Sequence, residues 1–286
     1  MKIKVYGFTH SPWVQAVLLA LHDQRIEYDL LLRPPYEVFK KWGVYMPAIS
    51  IDDGPWEIES TEILVKLGYK PILVEEINAA NSAWQGVLHR TDNPFNFFLA
   101  FSRGGQVSKS FANNVINNFL LSFVAFYMFI LINIGKVRLK QKEPKNFGDQ
   151  FLYWENLIDS SDSPFIDGNK PGSKDMIMFG MVQCHSSIPV PALDALMNDQ
   201  RLNNLRKWID NMQDYFREYP YLYSAKFFDS GVSEAGSANP FQIIVFFFEA
   251  NPETFRIVAF FLMFFQIRPN HLQVIHQYLQ TTDAYF

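Results

Sequence analysis

The chain has 286 residues, nearly half of them apolar, so it is long enough for two packed domains and too hydrophobic to stay disordered. Its net charge of -4 argues against a nucleic-acid partner, because phosphate binding needs clustered Lys and Arg, so none is expected. A single cysteine, Cys184, excludes an internal disulfide, dithiol chemistry and a cysteine-rich zinc site. Six histidines without His-x-x-x-His spacing leave no helical metal site, so no metal is expected.

In chain order, residues 2–8 read as a first strand that goes straight in from Met1 without an apolar signal core. A reducing, cytoplasmic location is the expectation. Ser11 and Pro12 then open a helix over 12–23, with Val14, Val17, Leu18 and Leu21 on its apolar face. Ser11 takes the N-cap, and Pro12 the first helical position, where its missing N–H costs nothing. A second strand over 26–32 stops at Arg33-Pro34-Pro35, and a short helix over 36–42 ends at Gly43. Pro47 begins a third strand to Ile51. The turn Asp52-Asp53-Gly54-Pro55 leads into a fourth short strand at 56–58, and Ser60 caps a helix that Gly68 stops. The order βαβαββα requires a parallel first pair and an antiparallel hairpin at the Asp-Gly turn, a thioredoxin-like α/β arrangement.

Residues 3–68 resemble the N-terminal domain of soluble glutathione transferases through three separated signals. Ser11-Pro12-Trp13 follows the first strand, Met46-Pro47 precedes the third, and Glu59-Ser60 opens the third helix. Each is weak alone, since Ser-Pro can simply start a helix and Met-Pro can simply make a turn. Their joint placement at the matching strand–helix junctions carries the resemblance.

The resemblance implies glutathione as cosubstrate and a serine-type active site. Ser11 would donate a hydrogen bond to the glutathione sulfur and favour its thiolate, which would attack an apolar electrophile. Met46, before a cis Pro47, would pair its backbone with the cysteinyl part. Glu59 would meet the α-amino group, and Ser60 with its helix N-terminus the α-carboxylate. Tyr45 stands where the family often has a basic residue, so Arg33, Lys40 or Lys41 are the alternatives for the glycyl carboxylate. Contacts to the electrophile are expected from the loop at Thr9 and His10, from Trp13 and from the first two helices of the second domain. With Ser in place of the Cys of omega-like relatives, a mixed disulfide at that site is excluded.

Downstream of a linker near Pro71, helices are expected over 75–103, 111–134, 149–159, 176–185 and 193–219, which gives an all-α second domain. Residues 163–175 resemble the loop before the central buried helix of the transferase C-terminal domain. There Gly172 replaces the usual Ser or Thr cap before Asp175, so the cap is expected to rest on backbone and on Ser173. Cys184 and His185 read as core residues at the end of that helix.

The division is therefore a glutathione-binding domain over 1–70, a helical domain over 75–223 and an extension over 224–286. The extension has a Gly/Ser-rich connector and two apolar segments, 241–250 and 254–267. Family habit implies a homodimer. The 28 Phe residues and the basic stretch after 134 raise peripheral membrane association, and with it the alternative of a non-catalytic transferase-like protein that binds through its Phe-rich helices.

Overall fold

The computed structural model describes residues 2–84, 145–187 and 191–223. Residues 85–103 of the helices expected over 75–103, the helix expected over 111–134, most of the basic stretch and the whole of 224–286 lie outside them.

The N-terminal unit has the thioredoxin-like order, with strands β1 (Ile3–Tyr6), β2 (Tyr28–Leu31), β3 (Ala48–Ile51) and β4 (Glu57–Ile58). Helices α1 (Pro12–Asp23), α2 (Tyr36–Trp42) and α3 (Ser60–Lys66) are interleaved with them. The sheet order is β2-β1-β3-β4. β1 pairs parallel with β2 and antiparallel with β3, and β3 pairs antiparallel with β4. The hairpin turn places Asp52 and Asp53 both at positive φ and closes with Gly54 N–H donating to Ile51 O at 2.9 Å. Helix α3 ends in a Schellman arrangement, with Gly68 at φ +90 and the N–H of Tyr69 reaching back to Leu64 O.

The described C-terminal residues are helical: α4 (Val74–Trp84), α5 (Leu152–Asp159), α6 (Ser173–Ser187), α7 (Pro191–Asn198) and α8 (Asn203–Tyr215). Short 3-10 turns precede α5 and α8. Helix α6 is three residues longer at its start and two longer at its end than its apolar run predicts, and only Lys174 escapes burial on it. Among the described residues no single helix is long and apolar enough to cross a membrane.

Two features of α6 explain its place at the centre. Asp175 is fully buried and accepts four hydrogen bonds. Its Oδ1 takes Ile166 N–H (2.8 Å) and the indole N–H of Trp208 (2.7 Å), and its Oδ2 takes Asp167 N–H (3.0 Å) and Gly172 N–H (2.9 Å). Burial pushes this carboxyl above the ordinary range, and the four donors pull against it. The cap differs from expectation. Gly172 is the N-cap, its carbonyl accepting Met176 N–H, but Asp167 supplies the missing side chain by accepting Lys174 N–H at 2.9 Å. A Cβ on residue 172 would lie 2.3 Å from that same Asp167 oxygen, so Gly at 172 makes room for the substitute cap.

The second feature is Gly180, where α6 meets the first turn of α1. A Cβ there would stand 2.3 Å from Pro12 O and 3.2 Å from Ala16 N. Both atoms are backbone, so neither can swing away. Gly180→Ala is therefore expected to destabilise the protein by about 2 kcal/mol, read as a lower urea midpoint at unchanged slope.

Candidate functional site

Strand register brings the three sequence signals to one end of the sheet. Tyr6 pairs with Leu31 on one side and Ala48 on the other, and Ala48 pairs with Ile58. The segments that follow Tyr6, Leu31 and Ile58 and the one that precedes Ala48 therefore leave the sheet together. They carry Ser11, Arg33, Glu59-Ser60 and Met46-Pro47. This is the end toward which the parallel strands run, where α/β proteins ordinarily bind ligands.

Ser11 is the N-cap of α1, at φ -75 and ψ 125, with Pro12 buried behind it. Its N–H donates to Phe8 O at 3.0 Å, and its carbonyl accepts Gln15 N–H at 2.9 Å. The half-buried side chain makes no capping bond to its own helix. The hydroxyl is thus not spent on the first turn, where the helix dipole favours an anion.

Met46-Pro47 is a cis peptide, as the resemblance implies. Met46 is half-buried against the core, and Pro47 is buried. Glu59 departs from expectation. It, and not Ser60, occupies the N-cap of α3, because its carbonyl accepts Ile63 N–H at 3.0 Å while Ser60 already lies inside the helix. The cause is the Glu59 backbone, at φ 74 and ψ 100, a conformation that L side chains rarely adopt and that clusters at binding sites. It leaves the Glu59 side chain exposed and Ser60 buried. Tyr45, in the position expected to be basic, donates its hydroxyl to Glu59 Oε1 at 3.0 Å. Of the candidate cations, exposed Lys41 sits 4.2 Å over the Trp42 ring, and Arg33 and Lys40 are exposed.

Thr9 and His10 are expected with Trp13 at the electrophile. Both are buried, and Trp13 alone of the three stays partly exposed. Burial pulls the His10 imidazole down to about 4, so it is neutral at physiological pH. Cys184 and His185 are core residues. Burial pushes the Cys184 thiol up to about 12, and His185 Nε2 contacts Ala83 O at 2.9 Å with its pKa lowered to about 4. Among the described residues no group of three or more His, Cys, Asp or Glu could hold a metal ion.

Sequence reasoning passed over the polar residues behind the Ser11 loop. Gln15 and Gln183 are fully buried, one on α1 and one on α6. Gln15 donates from Nε2 to Thr9 O (2.7 Å) and accepts the hydroxyl of Tyr219 at Oε1 (2.8 Å). Gln183 grips the backbone of Tyr223 on both sides, accepting its N–H at 2.7 Å and donating to its carbonyl at 3.3 Å. The available signal is a lone amide in each of two otherwise apolar helical stretches, since a buried polar side chain must find partners.

No protein-family model matches the chain, and a comparison with curated proteins finds no match. Comparison with solved structures finds the Tau class glutathione S-transferase of mango, Mangifera indica, at 15% identity, covering 90% of this chain and 96% of that one, with a TM-score of 0.41. The theta class glutathione S-transferase of Xanthomonas axonopodis pv. citri, solved with glutathione bound, is 13% identical, covering 78% of this chain and 99% of that one, at 0.41. A glutathione S-transferase of the Antarctic clam Laternula elliptica is 16% identical over 85% of this chain and 99% of that one, at 0.43. Likeness at this level assigns no residue a role. The fold class rests on the strand order and register: a thioredoxin-like α/β unit followed by an all-α unit.

Proposed function

We propose that this protein is a glutathione transferase of the serine type, with Ser11 activating the thiol of glutathione for attack on an apolar electrophile. The observation that carries the reading is the common exit of Ser11, Met46-Pro47 and Glu59-Ser60 from one end of the sheet, with the Ser11 hydroxyl unspent on its own helix. The Ser11 hydroxyl donates to the sulfur, and the positive end of α1 adds to the same effect. Both lower a thiol pKa that starts near about 8.5, so the thiolate fraction at neutral pH rises. The thiolate, and not Ser11, is the nucleophile.

In this reading Met46 pairs its backbone with the cysteinyl unit, and Pro47 shapes that approach. The carboxylate of Glu59 takes the α-amino group, and Ser60 with the first turn of α3 the α-carboxylate. Tyr45 preorganises Glu59 by holding one of its oxygens and leaving the other for the ammonium. The partly exposed Trp13 lies two residues after Ser11 and offers apolar surface to the electrophile. The division at 1–70, 75–223 and 224–286, a homodimeric state and a cytoplasmic location belong to the same proposal.

Calorimetric titration with glutathione tests the reading. The intact chain is expected to bind, and Glu59→Ala to bind about tenfold more weakly through loss of a charge-assisted hydrogen bond. Absence of binding by the intact chain at millimolar glutathione overturns the proposal and leaves the alternative of association through the Phe-rich segments, whose residues 241–267 would then be the ones to delete.

A further inference from the structure

The loop that delivers Ser11 is anchored from the far end of the described chain. Tyr223 places its hydroxyl 3.4 Å from Thr9 Oγ1 and 3.4 Å from His10 Nδ1, with its ring stacked on the imidazole at 5.9 Å between centroids. We infer that Tyr223 is a positioning residue for Ser11, acting through Thr9 and His10, and that the last turn of the helical domain sets the geometry of sulfur activation. This rests on the function proposed above.

The mechanical argument runs through two buried amides. On one side Gln15 brackets Ser11. Its backbone N–H donates to Ser11 O, and its side-chain amide donates to Thr9 O two residues earlier. The same amide is turned into place by the hydroxyl of Tyr219 and approaches Tyr221 O at 3.4 Å. On the other side Gln183, on the central helix α6, fixes both backbone polar groups of Tyr223. Residues 219–223 are thus clamped between α1 and α6 and meet the Ser11 loop through Tyr223.

This frame holds the loop backbone at Thr9 O and Ser11 O and leaves the side chains of Thr9 and His10 to a separate contact, on which the aim of the Ser11 hydroxyl also depends. The Tyr223 hydroxyl contacts the two side chains just before Ser11. A hydroxyl misplaced by a fraction of an ångström still binds substrate but stabilises the thiolate less. Burial keeps both ends of the contact in one protonation state, with the Tyr223 phenol pushed up to about 12 and the His10 imidazole down to about 4. The contact therefore does not switch across neutral pH.

Tyr223→Phe in the full chain tests the inference, because it keeps the stacked ring and both Gln183 bonds and removes only the hydroxyl. Turnover is expected to fall about tenfold and the pKa of bound glutathione, followed by thiolate absorbance against pH, to rise by about one unit, while the dissociation constant of glutathione changes less than about twofold. Unchanged turnover and unchanged thiol pKa overturn the inference. So does a parallel loss of binding, turnover and melting temperature, which marks a general structural role. Thr9→Val, which removes the other hydroxyl of the contact, is expected to move the same two quantities in the same direction.

A readout independent of glutathione separates this inference from the proposed function. Ser11→Cys introduces a thiol at the loop, and Cys184 is too buried to compete for alkylation. The pH profile of iodoacetamide alkylation is expected to shift upward when Tyr223→Phe is added, and an unmoved profile overturns the positioning role. If the intact chain fails to bind glutathione while the profile still shifts, the functional reading falls and the positioning stands.

Discussion

Replacing Asp175 with alanine is expected to remove a large share of the stability of the helical unit, about 4 kcal/mol, because one substitution strands four donors, two of them fully buried and two partly so. The N–H groups of Ile166, Asp167 and Gly172 and the indole N–H of Trp208 all end on this carboxylate, and the Asp175 site is fully buried. A net stability of about 5–15 kcal/mol is usual for a whole domain, so the loss is a large share of the total. Asp175→Asn is expected to be nearly as damaging despite its equal size. One carboxamide oxygen can serve two of the donors, but its NH2 group must face the other two. Trp208→Phe removes a single donor and keeps the acceptor, so it should cost far less. Urea unfolding of the three variants checks the ordering. A Trp208→Phe loss equal to that of Asp175→Ala would show that packing, and not the carboxylate, dominates at this position.

The second large effect is on chemistry. Ser11→Ala is expected to lower turnover about a hundredfold, the scale on which removal of one preorganised hydrogen-bond donor acts, with glutathione affinity nearly kept. The split matters more than the size. A hydroxyl that stabilises the thiolate alone leaves binding of the γ-glutamyl and glycyl ends intact, so KM for glutathione should move little. The fold should also tolerate the change, since the Ser11 side chain makes no capping bond and only its backbone serves α1. Steady-state kinetics with an activated apolar electrophile, alongside calorimetry, provide the test. Undiminished turnover in Ser11→Ala removes Ser11 from the mechanism. An equal loss of binding and turnover assigns it to substrate binding.

The two effects meet at α1. Ser11 caps its first turn, which lies against Gly180 of α6, while α6 carries Asp175 in its own first turn and Gln183 further along. The helical unit thus contributes to the candidate site by fixing the backbone from which Ser11 projects, in addition to whatever surface it offers an electrophile.

The βαβαββα order and the junctions at Ser11-Pro12, Met46-Pro47 and Glu59-Ser60 are legible in the chain without its structure. Those depend on turn chemistry, caps and apolar periodicity, which act over a few residues. Local signals also gave the hairpin at Asp52-Asp53 and the stop at Gly68. Tertiary structure alone decided which polar groups meet. Gln15 finds Tyr219 across 204 residues, Thr9 finds Tyr223 across 214, and Asp175 finds Trp208 across 33. It also put Asp167 in the role of the absent cap, moved the N-cap of α3 from Ser60 to Glu59, and turned Thr9 and His10 inward. The shifted cap of α3 follows from the Glu59 backbone, and the physical reason is the same for the buried contacts. A buried donor or acceptor must be satisfied, but which group satisfies it depends on how the elements pack, and no local pattern in the chain encodes that choice.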